Sequence, residues 1–189
     1  MILLPIFFGI LVSVAPINNQ WSPQAEDWDR AAKEVRRLSP RAFPNLPPEV
    51  VTELIRRNCT IPQANGYPKP HNVIKGSFAK KGQIDWAVLC SSNGNSSILV
   101  FWGSPAQNVY QHASSPDKDF LQGGGDGRIE YSRMISPVDG ANIIRYYKEF
   151  GGPKPPPIDH QGIEDSFVGK ASVILYYYRG RWLKLTGAD

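Results

Sequence analysis

The stretch from Asn72 to Trp102 constrains the fold more than any other part of the chain. Two strand-like runs, Asn72–Phe78 and Asp85–Ser91, flank a short Lys-Lys-Gly turn. Ser92-Asn93-Gly94-Asn95 follows, and its Asn-Gly pair supplies the left-handed backbone that a two-residue hairpin needs. The chain then returns through Ser97–Trp102, whose near-continuous apolar character suits a strand buried on both faces. A chain that doubles back twice over so short a distance is building an antiparallel sheet.

The flanks add helices and further strands. Ser22–Leu38 reads as a helix: Ser22-Pro23 suits a cap and first position, and Trp28, Ala31, Val35 and Leu38 recur at helical spacing. Pro40, Pro44, Pro47 and Pro48 make a stiff linker, and a second helix is expected near Glu49–Arg57. Asn108–Ala113 and Arg128–Ile135 are strand candidates, and the glycine-rich Asp119–Gly127 between them reads as a flexible connection. Its glycines lack the strand-to-helix setting and the Gly-Lys-Ser/Thr of a phosphate loop. Asp139–Phe150 reads as a third helix stopped by Gly151-Gly152, with a strand over Ile143–Tyr147 as the alternative, and Pro153–Pro157 as extended. A terminal hairpin runs Ala171–Tyr178, Arg179-Gly180, Arg181–Leu185. The expected class is α+β: a mainly antiparallel, twisted sheet with two N-terminal helices and one further helix.

Residues 2–15, ILLPIFFGILVSVA, have the length of a signal-peptide core and fall short of the roughly 20 residues a membrane span needs. The expected organisation is a signal peptide over 1–15, an N-terminal helix and Pro-rich linker over 16–48, and one α+β domain over 49–189. No stable membrane span is expected after processing. In an exported chain an even number of cysteines favours pairing, so Cys59 and Cys90 are expected to form a disulfide. The formal net charge of +4 is concentrated in the middle of the chain, where Lys69, Lys75, Lys80 and Lys81 face Asp85 alone. Nothing in the sequence matches a nucleic-acid-binding motif.

The frame Gly76-Ser77-Phe78-Ala79-Lys80-Lys81-Gly82-Gln83-Ile84-Asp85-Trp86-Ala87-Val88 resembles the repeat core of FG-GAP/VCBS-type β-propeller proteins. Gly76, Phe78, Gly82, Asp85, Ala87 and Val88 match in frame. The resemblance implies a hairpin. It places the family's calcium ligands at Ser77, Ala79, Lys81 and Asp85, of which only Asp85 is a carboxylate, whereas calcium takes about six to eight oxygens. No metal is expected there. Gly82 is expected to make the turn, Phe78 and Trp86 to pack in the core, and Asp85 to cap the loop.

Asp159-His160-Gln161-Gly162-Ile163-Glu164-Asp165 is similar to the short calcium loops of thrombospondin-type and dockerin-like repeats, with Asp159, Gln161, Gly162 and Asp165 in frame. It also carries the one acid–base cluster, His160 beside carboxylates. His71 and His112 stand alone in the sequence. Tyr176, Tyr177, Tyr178 and Trp182, with Arg179 and Arg181 at the turn, have the composition of a recognition surface. Tyr176, Tyr178, Arg179, Arg181 and Trp182 are the candidate binding residues.

Three functions follow. The leading expectation is a non-catalytic binding or inhibitor-like module of the cell envelope, periplasmic or secreted, without a cofactor, meeting a protein or glycan. The rivals are an envelope hydrolase using His160 with Asp159 or Asp165, and a structural domain with a weak calcium loop at Asp159–Asp165.

Overall fold

Two pairs of left-handed residues, Asn93-Gly94 (φ 52° and 74°) and Arg179-Gly180 (φ 48° and 83°), close the two long hairpins from which the fold grows. Each is a two-residue turn whose backbone twist matches that of its strands. The computed structural model describes residues 24–103, 109–112, 114–124 and 127–188. The expected signal peptide over 1–15 and the Ser22-Pro23 cap lie outside the described residues.

The elements run α1 (Ala25–Glu34), β1 (Arg37–Leu38), α2 (Pro48–Arg56), β2 (Ile61–Pro62), β3 (Val73–Gly76), β4 (Asp85–Ser92), β5 (Asn95–Phe101), β6 (Val109–Gln111) and β7 (Ser115–Pro116). They continue with β8 (Leu121–Gly123), β9 (Ile129–Tyr131), β10 (Arg133–Val138), α3 (Gly140–Phe150), β11 (Gly162–Phe167), β12 (Ala171–Tyr178) and β13 (Arg181–Thr186). The class is α+β, and every strand pairing is antiparallel. The strands divide between two principal sheets rather than forming one. The first has the order β3-β4-β5-β6 with β7 also on β5, and the second the order β10-β11-β12-β13.

The period-2 alternation of each strand decides what lies between the sheets. Ala87, Leu89, Ile98 and Val100 of the first sheet meet Ile135, Ile163 and Leu175 of the second, with Phe78 filling the end of the layer. The opposite face of the first sheet, Val88, Cys90, Leu99 and Phe101, is covered by Val50 and Leu54 of α2. The opposite face of the second sheet, Val138, Ile174, Tyr176 and Leu185, is covered by Ile143 of α3 with Tyr146 and Ile158. The order of layers is helix, sheet, sheet, helix, and the central strands are buried on both faces as the apolar run through Ile98–Phe101 requires.

The ends of the helices follow local chemistry. Asn58 takes φ 54° after α2, and Cys59 N donates to Leu54 O at 2.9 Å while Asn58 N donates to Ile55 O at 2.9 Å. This Schellman stop hands the chain to Cys59, which is disulfide-bonded to Cys90 on β4 across a Cα–Cα distance of 5.2 Å. Asp139 caps α3 by accepting from Asn142 N at 2.8 Å.

Three segments depart from the sequence reading. Helix α1 ends at Glu34 instead of Leu38, because Arg37–Leu38 pairs with Ile61–Pro62. It lies against the β8–β9 hairpin, where Trp28 and Ala31 pack with Val35, Leu121 and Tyr131. The glycine-rich stretch is a hairpin rather than a loose connection: Leu121–Gly123 pairs with Ile129–Tyr131, held by the buried Leu121 and Tyr131 (Gly125 and Asp126 lie outside the described residues). The expected strand over Arg128–Ile135 breaks at Ser132, since Ile129–Tyr131 serves this hairpin and Arg133–Val138 serves the second sheet. Asn72, at φ 69° and fully buried, bonds the two sheets directly. Its amide nitrogen donates to Pro62 O at 2.6 Å and Arg133 O at 3.2 Å, and its Oδ1 accepts from Ile135 N at 2.9 Å.

Candidate functional site

Asp85 is buried where β4 begins, and it organises the connection from β3. Its Oδ2 accepts from Phe78 N at 2.8 Å and Ala79 N at 2.9 Å, and its Oδ1 from Gly103 N at 2.9 Å and Gln83 Nε2 at 2.6 Å. The carboxylate thus gathers backbone amides from the segments that follow β3 and β5, the two neighbours of β4, and Gly82 turns the loop at φ 78°. Phe78 and Trp86 are both buried, on opposite faces of the first sheet.

The Asp159–Asp165 segment is not the loop its pattern suggested. Glu164 and Asp165 lie within β11, opposite Ser136 and Ile135 of β10, so the residues that were to close a turn are extended. Asp165 is held by Arg133 through two bonds, Nε at 2.9 Å and Nη2 at 2.8 Å. Asp159 lies outside the strand and bonds His160 Nδ1 at 2.6 Å. The two carboxylates are committed to different side chains. Among the described residues no group of three or more His, Cys, Asp or Glu is arranged to hold a metal ion. The His160 side chain is 4 % exposed, its ring stacked on Tyr176 at 4.4 Å and its Nδ1 3.0 Å from the Tyr176 hydroxyl. The cluster ties the extended Pro153–Ile158 segment to β12, and a ring so enclosed offers a substrate no approach. Its bond from His160 holds the Asp159 carboxyl below the usual carboxylate range.

The proposed recognition residues do not share a surface. Tyr176 is fully buried under α3. Tyr178 and Arg181 form a cross-strand pair on that same side of the sheet, and Arg179 is exposed in the turn. Trp182 points the other way, between the sheets, where it stacks with Trp102 at 5.4 Å and meets Tyr177 and His112 at 5.4 Å and 4.7 Å. Alternation along the strand separates what the sequence places side by side. Burial among these rings drives the His112 pKa down to about 4 against the opposing field of Asp165, helped by the nearby Lys184 and Arg133 cations. His71, by contrast, is a structural staple: its Nε2 accepts from Ala64 N at 2.7 Å, which places the ring proton on Nδ1, 3.0 Å from Lys69 O.

A different place has the form of a binding site. Lys75 on β3 and Trp86 on β4 are cross-strand partners on the α2-side face of the first sheet. This corner lies at the sheet's edge, beside the part that Val50 and Leu54 cover, and the segment Ala42–Leu46 runs across it instead. Between them is a cleft of about 620 Å³, lined by Ala42, Phe43, Pro44, Asn45, Leu46, Pro70, Val73, Lys75 and Trp86. The volume lies within the range of about 300–1,000 Å³ typical of ligand sites, and the surface is mixed, with polar and apolar parts in similar measure. Lys75 is the one ionisable residue in the lining, and its Nζ stands 5.8 Å from the centre of the Trp86 ring. Pro44 and Pro70 fix the walls through their locked φ angles. The wall is anchored at Leu46, which is buried in the core, and Pro70 is followed by the pinned ring of His71. The sequence gives no sign that these residues share a cleft, because they come from three separated stretches. The signal that was available is the basic run containing Lys69 and Lys75.

Comparison with protein-family models, with curated proteins and with solved structures returned no match.

Proposed function

We propose that the protein is an exported, non-catalytic binding module of the cell envelope, and that the cleft between Phe43-Pro44 and Trp86 is its binding site. The carrying observation is the chemistry of that cleft: a Trp floor, Pro and Phe walls, and a single cation. Such a lining supplies contact area and one point of charge, and it holds no acid–base pair. Because prolines and buried anchors set its walls before any ligand arrives, little ordering cost opposes binding. The Cys59–Cys90 disulfide supports a periplasmic or secreted location, since such bonds persist in oxidising compartments.

A fragment screen by two-dimensional amide and indole NMR tests the reading. Aromatic and aliphatic fragments are expected to shift signals of Phe43, Val73, Lys75 and the Trp86 indole ahead of all others. Hits spread over α3 or the Tyr178–Arg181 turn, with the cleft silent, would refute it. Export is tested separately by fusing residues 1–23 to alkaline phosphatase, which gains activity only outside the cytoplasm.

A further inference from the structure

Resting on that reading, we infer that the cleft takes a peptide segment of an acidic partner protein, one that presents an apolar side chain flanked by carboxylates. Two observations carry the inference, the shape of the lining and the charge around it. The floor and walls offered by Trp86, Phe43 and Pro44 suit an aromatic or branched aliphatic side chain, and about 620 Å³ holds more than one such group. Lys75 is exposed, and its ammonium stands over the Trp86 ring at the side of the cleft, so an apolar group on the Trp floor brings a neighbouring carboxylate to the cation.

The surroundings have the same sign. Lys69 precedes the lining residue Pro70, Arg41 precedes the lining residue Ala42, and Lys80 and Lys81 lie on the turn that follows β3; all four are exposed. Of the acids near the lining in sequence, Asp85 is buried and bonded to Phe78 N, Ala79 N, Gly103 N and Gln83, so its oxygens are closed to a partner, and the exposed Glu49 of α2 leaves the cations in excess. A face with exposed cations and an internally committed carboxylate attracts anions over a Debye length and repels basic segments.

The experiment is a selection of random dodecapeptides displayed on phage against the intact chain, with a Trp86→Ala counter-selection, followed by titration of the enriched peptide in synthetic form. The enriched sequences are expected to share an aromatic or branched aliphatic residue within two positions of Asp or Glu. Lys75→Glu is expected to weaken the synthetic peptide at least tenfold, and raising salt from about 0.05 to 0.5 M to weaken it further. Lys154→Glu, on the Pro-rich segment, is the charge-matched control and is expected to leave affinity unchanged. Neutral or basic consensus sequences that bind the cleft would overturn the acidic-partner inference while leaving the binding reading intact. Peptides that survive Trp86→Ala counter-selection, or no enrichment on a chain shown by its amide spectrum to be folded, would overturn both.

Discussion

Replacing Asp85 tests whether a carboxylate holds the β3–β4 connection together. Its four bonds are of two kinds. The Phe78 N–H is fully enclosed, while those of Ala79 and Gly103 are partly open to solvent. In Asp85→Ala the buried N–H loses its partner, which costs about 2–3 kcal/mol. The two half-open amides recover water and cost about 1 kcal/mol each, and the lost Gln83 bond of 2.6 Å adds a similar amount. The sum is about 5 kcal/mol, comparable with the whole stability of many domains of this size. Asp85→Asn keeps an acceptor oxygen but aims an NH₂ group at N–H donors, so about half that loss is expected. Urea unfolding followed by tryptophan fluorescence gives both numbers, with an unchanged slope showing that the folded state is still native. An Asp85→Asn protein within about 1 kcal/mol of wild type would refute the reasoning, because it would mean that the amides find equal partners elsewhere.

Other expectations follow from the same geometry. Reducing the Cys59–Cys90 bond, which spans 31 residues, is expected to cost about 3–4 kcal/mol; an unchanged urea midpoint in reductant would contradict the loop-closure argument. His112 titrates near 4 in the folded chain and near 6.5 when unfolded. The unfolded state therefore binds the extra proton first, and the stability this ring contributes is full above about pH 6.5 and drains away down to about pH 4. The shift corresponds to about 3 kcal/mol, which solvent access to the ring reduces to roughly 1–2 kcal/mol. His112→Phe should flatten the acid limb by that amount relative to wild type, and superimposable limbs would refute the assignment. Asn72→Ala strips three buried bonds, two of them to β10 of the second sheet, and should cost about 3–5 kcal/mol, read as a lowered denaturation midpoint; a loss below 1 kcal/mol would show that the sheets hold together without it.

What the sequence revealed was local. Asn93-Gly94 and Arg179-Gly180 are turns for reasons contained in two residues, Asp139 is a cap because of the helix that follows it, and Asp85 binds amides within its own loop and at Gly103. What it concealed depends on partners far along the chain. Arg37–Leu38 leaves its helical pattern because Ile61–Pro62 offers a strand partner and Asp117 offers a carboxylate to Arg37 at 2.8 Å. Asp165 looks like a loop ligand until Arg133, 32 positions earlier, claims it. The tyrosine-rich hairpin reads as a surface because its other cover, α3 and the Pro-rich segment, is not visible from Tyr176 itself. The cleft is the extreme case: Lys75 reads as part of a basic run and Trp86 as core, Phe43 and Pro70 carry no signal, and the four meet only when the sheet edge and the proline segment are both in place.

Site-specific crosslinking in the cells that make the protein addresses the central claim most directly. With p-benzoylphenylalanine in place of Phe43, in the cleft wall, illumination should give one discrete crosslinked species, and Lys75→Glu in the same chain should remove it. The photoprobe in place of the exposed Ile144 of α3 should give none. A partner captured from position 144 and not from position 43 would contradict the account and move the binding surface to the helical face.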